Sequence, residues 1–147
     1  ELLARIENII ESRKKLREKY NKEGILKPKD VTVNSIDEKF LNRLIEIVEI
    51  HLGNEKFGVE KLSDELGMSR SHLHRKLSAL LDTGPNQFIR RFRLQRAHDL
   101  LKQNSATSSE IAYQVGFGSP SYFTKCFQEQ FGYLPSELLT QYSTKSS

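Results

Sequence analysis

Residues 111–132 read IAYQVGFGSPSYFTKCFQEQFG and contain two short helical patterns separated by a glycine. The first pattern places apolar residues at helical spacing, as expected of one buried helix face: Ile111, Ala112 and Val115. Gly116 ends this helix because glycine readily adopts the left-handed conformation that a helix C-terminus often requires. Ser119 can cap the next helix, and Pro120 suits its first turn, where a missing N–H costs nothing. The stretch therefore predicts two helices joined by a tight turn.

The second helix of this stretch has an apolar side and a polar side. The apolar side is predicted to be buried and carries Tyr122, Phe123, Cys126, Phe127 and Phe131. The opposite side carries short, polar or basic residues and no acid: Ser121, Thr124, Lys125 and Gln128. A buried helix that supports a second helix with a small polar outer face is a helix-turn-helix unit. We call the second helix of such a unit its recognition helix.

The same pattern occurs earlier in the chain. Leu62, Leu66, Gly67 and Met68 recur as Ile111, Val115, Gly116 and Phe117, 49 positions later. Leu73, Leu77, Leu81, Pro85 and Phe88 recur as Phe123, Phe127, Phe131, Pro135 and Leu138, 50 positions later. The difference of one residue falls in the turn, where an insertion disturbs a fold least. An internal duplication explains the pattern and predicts two helix-turn-helix units.

The segment IAYQVGFGSPSYFTKCFQEQFGYLPSEL, preceded by a helical motif, closely resembles the AraC/XylS family of bacterial transcription regulators. The preceding motif consists of Arg93, Leu94, Ala97, Leu100 and Leu101. The resemblance covers about residues 37–142. It departs from the family pattern at Ser63, where the second copy has Ala112, and in SELLTQY, which lacks an arginine often found there.

This resemblance implies a fold and a function. The fold is all-α, with two helix-turn-helix subdomains joined by a long linker helix, about seven helices in total, plus an amphipathic N-terminal helix. The function is sequence-specific binding of double-stranded DNA in a transcription regulator, with the recognition helices in successive major grooves. No cofactor or metal is expected. RNA polymerase is a possible further partner.

Composition places limits on the class of protein. The 147 residues, 37% of them hydrophobic, provide one modest core and an appendage. No apolar run approaches the roughly 18 residues needed to cross a membrane, and no signal peptide opens the chain. The single cysteine, Cys126, excludes an internal disulfide and is expected to pack in the core. A cytoplasmic setting follows, although a parent protein can be anchored in a membrane upstream. The first residue is Glu1, which indicates a fragment.

The charge distribution favours a nucleic-acid partner more strongly than the net charge of +4. Between Leu66 and His98 the only acid is Asp82, whereas the bases are Arg70, Arg75, Lys76, Arg90, Arg91, Arg93 and Arg96. The supporting helix is acidic, whereas the recognition helix and linker that follow it are basic. This distribution of charge favours binding to a phosphate backbone. A solvated charged surface without a partner is the alternative.

The N-terminal part of the chain predicts a separate element. Residues 1–24 have an apolar stripe followed by a charged run, and they are similar to the last helix of response-regulator receiver domains. A dimerising helix is the alternative. Gly24 and Pro28 then mark residues 25–36 as a linker. The parent is thus expected to be a homodimeric two-component regulator, or a hybrid sensor with an upstream histidine kinase.

Sequence patterns also predict the bounds of the later elements. Ser35 and Glu38 have the capping-box spacing before a helix that packs across the first unit, and Thr107 and Glu110 repeat that spacing. The two helices of the first unit are predicted over residues 59–66 and 69–81, and the joining helix over 85–103. A last short helix begins at Pro135, and residues 143–147 are expected to form a disordered tail.

The resemblance and the polar faces together predict the DNA contacts. The base-contact candidates are Ser71, His74, Arg75, Ser121, Thr124 and Lys125. Arginine early in a recognition helix can form two hydrogen bonds to guanine, but Arg75 could instead contact only phosphate. The phosphate-contact candidates are Arg70, Lys76, Arg90, Arg91, Ser119 and Gln128. The short side chains of the second recognition helix predict weaker readout, or contact with the backbone alone.

Other classes of site and function find less support. Arg93 and Arg96 are expected to form structural ion pairs. His72 and His74 point in different directions on a helix, which does not favour a metal site. No catalytic constellation is visible, so the chain itself is not expected to be an enzyme. A helical protein-interaction module remains the alternative function, although the outward faces of residues 37–142 are basic and polar rather than apolar.

Overall fold

The computed structural model describes the backbone of residues 35–145 and the side chains of residues 36–141. Every regular element in this part of the chain is a helix: α1 Ser35–His51, α2 Val59–Leu66, α3 Arg70–Leu81, α4 Pro85–Gln103, α5 Ser108–Gln114, α6 Pro120–Phe131 and α7 Pro135–Lys145. The predicted all-α fold with about seven helices is confirmed. The predicted helix over 1–24 and nearly all of the predicted linker lie outside the described residues. Helix α7 continues to Lys145, beyond residue 142, where the sequence predicted the end of the domain.

The described residues form two compact units. The first unit comprises residues up to Glu49 together with Val59–Phe88. The second comprises Ile50–Gly58 and the residues from Ile89 onward. The first unit therefore contains the helix pair α2 and α3, and the second contains the pair α5 and α6.

The first unit has a leucine-rich core. Its fully buried side chains include Leu44, Val48, Leu62, Leu73, Leu77 and Phe88. Helix α1 packs on this unit, as the sequence predicted, and two side-chain contacts connect it to α2 and α3. The guanidinium of Arg43 donates to the carbonyl of Glu65 at 3.2 Å. The ammonium of Lys76 lies 4.7 Å from the centroid of the Phe40 ring, within the range of a cation–π interaction.

The second unit has an aromatic core. Phe123 lies 5.2 Å from Phe117 and 5.6 Å from Phe127 between ring centroids, in the tilted geometries that aromatic pairs prefer. Leu138 of α7 is buried in the same cluster, which confirms that the last helix covers this core. Cys126 is buried there as a free thiol, as expected of a packing residue.

The two turns have the same hydrogen-bonding pattern. The glycine has a positive φ in each turn, 69° at Gly67 and 88° at Gly116. The amide after each glycine donates to the carbonyl five residues earlier: Met68 to Ser63 at 3.1 Å, and Phe117 to Ala112 at 2.9 Å. This is the Schellman pattern, which satisfies carbonyls at a helix end. The duplication seen in the sequence is therefore also present in the backbone.

The recognition helices α3 and α6 also begin and end alike. The hydroxyl of Ser69 accepts from the amide of His72, and that of Ser119 accepts from the amide of Tyr122. Each helix ends at a residue with a left-handed backbone, Asp82 with φ 56° and Gly132 with φ 84°. Both helices have 12 residues.

Ser63, the departure from the family pattern, fits its buried position. Its hydroxyl donates to the carbonyl of Glu60 at 2.9 Å, so its polar group is satisfied within α2. Thr107 caps α5 as predicted, because its hydroxyl oxygen accepts from the Glu110 amide at 3.2 Å. The same hydroxyl donates to the Glu110 carboxylate at 3.0 Å. The side chain of Ser35, predicted to cap α1, lies outside the described residues.

Candidate nucleic-acid interface

Helix α3 packs one side against the core of the first unit, and its other side is exposed to solvent. Leu73, Leu77 and Leu81 are buried at intervals of four residues, so the opposite face is open to solvent. Four predicted site residues of this helix are exposed: Arg70, Ser71, His74 and Arg75. The helix contains no acid. The structure thus leaves these polar and basic side chains open to solvent on the first unit.

Two predicted residues of α3 have neighbours within the protein. The imidazole of His74 lies beside the turn into α4, since a Cβ added at Gly84 would lie 3.7 Å from its Cε1 atom. Lys76 is half-buried against Phe40. Its cation–π contact competes with a phosphate contact, so Lys76 is the least accessible cation of this helix.

Helix α6 has a similar open face in the second unit. Ser121, Lys125 and Gln128 are exposed, whereas Thr124 is half-buried. The hydroxyl of Thr124 donates to the carbonyl of Pro120 at 2.9 Å, so its proton is already used within the helix. Glu129 is exposed one turn after Lys125, so this helix also carries an acid near its C-terminal end.

Tyr122 differs from its sequence prediction. The helical spacing placed it on the buried side of α6, but its side chain is 50% exposed. The error arises because residue 122 lies at the edge of the apolar stripe, where spacing alone does not decide burial. The duplication could have identified it, because the corresponding residue 50 positions earlier is His72, which is also exposed.

Arg93 is structural, but its partners among the described residues are backbone carbonyls and not the acid that an ion pair requires. Its side chain is only 8% exposed and donates to three carbonyls: Gly116 at 2.8 Å, Asn54 at 3.0 Å and Phe57 at 3.1 Å. Burial lowers the pKa of Arg93 because it disfavours the charged form. Arginine still stays charged at neutral pH, so the three carbonyls face a cation.

This arrangement positions the second recognition helix. Arg93 belongs to α4, and its Gly116 partner is the turn residue between α5 and α6. The other two partners lie in the segment between α1 and α2. Arg93 therefore connects three segments of the second unit around its turn. The exposed arginines of α4 are Arg90 and Arg96, whereas Arg91 is half-buried.

The described residues offer little for other kinds of site. Between residues 35 and 145, no three His, Cys, Asp or Glu side chains come together to hold a metal ion. Over the same residues, none of the helices combines the length and apolar character needed to cross a membrane. The available chemistry is that of exposed cations, hydroxyls and amides on two helices with matching caps. Such groups bind phosphates and the edges of bases.

Comparisons with known proteins agree with this geometry. The helix-turn-helix domain family matches residues 62–141. The chain is 44% identical over 143 residues to histidine kinase P4 of Formosa agariphila, covering 97% of this chain and 10% of that protein. The chain therefore spans about a tenth of that relative's length.

Two solved structures have a similar fold. One is a transcriptional regulator with an AraC-type DNA-binding domain from Chromobacterium violaceum, with a TM-score of 0.67, 26% identity, and coverage of 75% of this chain and 97% of that chain. The other is the DNA-binding domain of AdpA in complex with a target DNA, with a TM-score of 0.65, 28% identity, and coverage of 71% and 94%.

Two duplicated helix-turn-helix units, each with an exposed polar recognition helix, define a double-headed DNA-binding domain. The chain belongs to the AraC-type helix-turn-helix domain family. It is accordingly a sequence-specific DNA-binding domain of the kind found in transcription regulators.

Proposed function

We propose that this chain is the DNA-binding output domain of a two-component regulatory protein, and that α3 and α6 enter successive major grooves of one duplex. The observation that carries the proposal is the duplicated polar face. Two helices of equal length, capped by Ser69 and Ser119, each leave a strip of polar side chains exposed. Recognition helices with this form read DNA from the major groove.

The first unit supplies the stronger base readout. Arg75 is exposed in the second turn of α3, and an arginine on a recognition helix can donate two hydrogen bonds to guanine O6 and N7 in a major groove. Ser71 lies four residues earlier on the same face, and His74 lies beside it. In the second unit the base contacts are assigned to Ser121, Thr124 and Lys125. Thr124 contributes its methyl group or a hydroxyl lone pair, because its proton is bonded to Pro120.

The phosphate contacts come from cations and polar groups flanking these faces. The proposed set is Arg70, Lys76, Arg90, Arg91, Ser119 and Gln128. Exposure supports Arg70, Arg90, Ser119 and Gln128 most directly. Such contacts fix the protein's register on DNA but carry no sequence information directly.

The parent protein is proposed to be a hybrid two-component regulator. The support is the relative named histidine kinase P4, which aligns over nearly the whole chain. Residues 1–24 are then the last helix of a receiver domain, residues 25–36 a linker and residues 37–142 the DNA-binding domain. The upstream kinase and receiver would control homodimerisation. The DNA-binding part acts in the cytoplasm, where RNA polymerase is a possible further partner, and the parent can be anchored in the membrane upstream.

Selection of bound fragments from random duplex DNA tests the DNA-binding proposal. The expected result is enrichment of a sequence with two half-sites, bound with an affinity that falls steeply as salt rises. Binding to generic duplex DNA at low salt provides the baseline. Absence of DNA binding at low salt, together with capture of a protein partner, would favour the protein-interaction alternative.

A further inference from the structure

We infer that Tyr122 is the main base-reading side chain of the second unit and that its ring contacts the 5-methyl group of a thymine. This inference rests on the proposed function, because it assigns a role within the same interface. Tyr122 is the third residue of α6, next to Ser121 and one turn before Lys125 and Cys126. With half of its surface exposed, it is the largest side chain that α6 presents to solvent.

The Tyr122 ring is held on one side. Its centroid lies 6.0 Å from that of Phe117, which in turn lies 5.2 Å from that of buried Phe123. The backbone of Tyr122 is held separately, because its amide donates to the capping hydroxyl of Ser119 at 3.3 Å. A ring packed on one side loses little conformational freedom on binding, which is the advantage of tyrosine in recognition surfaces.

The other exposed groups near the start of α6 are less suited to reading a base. Ser121 has a short side chain, and the hydroxyl of Thr124 is bonded to the carbonyl of Pro120. Lys125 is a flexible point charge and distinguishes poorly between bases and phosphates. An aromatic ring, by contrast, has an apolar face that fits the thymine methyl, the one apolar group on base edges in the major groove.

The first unit provides a parallel in the other copy of the duplication. Its residue at the same position is His72, whose amide also donates to the capping serine and whose side chain is also exposed. Both units therefore present a ring at the third position of the recognition helix. A residue needed only for the core would not be exposed in both copies.

The test compares thymine with deoxyuridine, which lacks only the 5-methyl group. DNA selected by the wild-type chain is used. The first half-site is the one that contains the base pair at which Arg75→Ala relaxes the preference, and the other is the second half-site. Replacing thymines in that half-site by deoxyuridine should weaken wild-type binding by about fourfold for each methyl contacted. Tyr122→Ala should bind both forms equally, whereas Tyr122→Phe should keep the discrimination because it keeps the ring.

Tyr113→Ala is the matched control, because Tyr113 is 55% exposed but lies on α5 rather than on the recognition helix. This variant should discriminate thymine from deoxyuridine as the wild type does. If Tyr122→Ala does not fold, Tyr122→His takes its place, since histidine is the residue at this position in the first unit. This variant should lose part of the discrimination between thymine and deoxyuridine.

Two negative results are distinguishable. If the wild-type chain enriches no DNA sequence, the proposed function fails. If it enriches a sequence but binds the thymine and deoxyuridine forms equally, or if Tyr122→Ala discriminates as well as the wild type, only the role of Tyr122 is overturned.

Discussion

Arg93 shows at the level of one residue how a cation in a basic domain can serve the fold. Its guanidinium is buried and donates to three carbonyls from two different segments. We expect Arg93→Ala to lower the free energy of unfolding by roughly 3 kcal/mol or more, because three carbonyls lose their charged donor. Chemical unfolding of the two proteins measures this difference.

Arg96→Ala is the matched control for Arg93→Ala. Arg96 lies three residues further along α4 and is exposed, so its removal should change stability by no more than about 0.5 kcal/mol. Equal stabilities of the two variants would mean that the carbonyls around Arg93 are satisfied equally well by water.

The two turn glycines predict an unequal pair of mutations. Both have a positive φ, which disfavours alanine by about 1 kcal/mol. A Cβ at Gly67 meets nothing within 4 Å, whereas one at Gly116 would clash with the Leu52 carbonyl and lie 3.0 Å from Cζ of Arg93. We expect Gly67→Ala to cost about 1 kcal/mol and Gly116→Ala about 3 kcal/mol or more.

Thermal or urea unfolding of the two glycine variants checks this prediction. The first variant serves as the control for backbone strain alone. Comparable losses at both positions would contradict the idea that the close approach of the Leu52 carbonyl excludes a side chain at the second turn.

Arg75 and Arg90 separate base contacts from phosphate contacts. Arg75 is exposed on the recognition helix, so Arg75→Ala should cost about 1–3 kcal/mol on the preferred sequence and relax the preference at one base pair. Arg90→Ala should weaken binding to all sequences alike and make the salt dependence shallower. Titrations of specific and generic DNA at several salt concentrations measure both effects. An equal loss of affinity for all sequences in Arg75→Ala would show that Arg75 contacts only phosphate. An unchanged salt dependence in Arg90→Ala would exclude Arg90 from the interface.

Helices were the most predictable elements of this chain. The predicted spans 59–66 and 85–103 agree with α2 and α4, because capping residues, glycines and prolines act locally and are visible in the sequence. The duplication provided a check on the predicted helix bounds, since the same turn and capping residues had to occur in both copies. The end of α7 was less predictable, because no glycine or proline follows it.

Tertiary contacts could not be predicted from the spacing of residues in the sequence. The partners of Arg93 lie 23 to 39 residues away and are backbone carbonyls, which leave no mark in the sequence. The contact between Lys76 and Phe40 likewise depends on how α1 packs on α3. The exposed polar residues of each recognition helix could be identified from the sequence pattern of that helix. The exposure of Tyr122, at the edge of the apolar stripe, could be recognised only by comparison with His72 in the first copy.

The start of α6 carries a prediction at the level of the helix. Ser119 caps this helix and is also proposed to contact phosphate. Aspartate caps as well as serine, so Ser119→Asp should leave stability within about 0.5 kcal/mol of wild type. Its negative charge should nevertheless weaken DNA binding roughly tenfold at low salt, because it would face a phosphate.

Ser136→Asp provides the charge control for this prediction. Ser136 is exposed in the first turn of α7, outside the helix-turn-helix pair. The same change of net charge should there reduce DNA affinity much less. Equal losses in the two variants would show that only overall charge matters, and would exclude Ser119 from the interface.

At the scale of the whole molecule, the proposal requires both units to engage one duplex. Helix α4 contributes residues to both units. Successive major grooves on one face of DNA are about 34 Å apart, and the proposal assigns one recognition helix to each. Inserting about half a helical turn of DNA, roughly five base pairs, between the two half-sites moves one of them to the opposite face. The affinity should then fall to that of a single half-site. Once one recognition helix is bound, the other can no longer reach its half-site on the same duplex, so the gain from binding both together is lost.

Electrophoretic or fluorescence titration of the two DNAs measures this loss. The same insertion placed outside the pair of half-sites is the control and should leave the affinity unchanged. The Tyr122→Ala variant should be less sensitive to the internal insertion than the wild type, since its second unit contributes less to binding. Equal wild-type affinity for the original and the internally extended sites would mean that one recognition helix carries the interaction and that the duplicated unit does not read DNA.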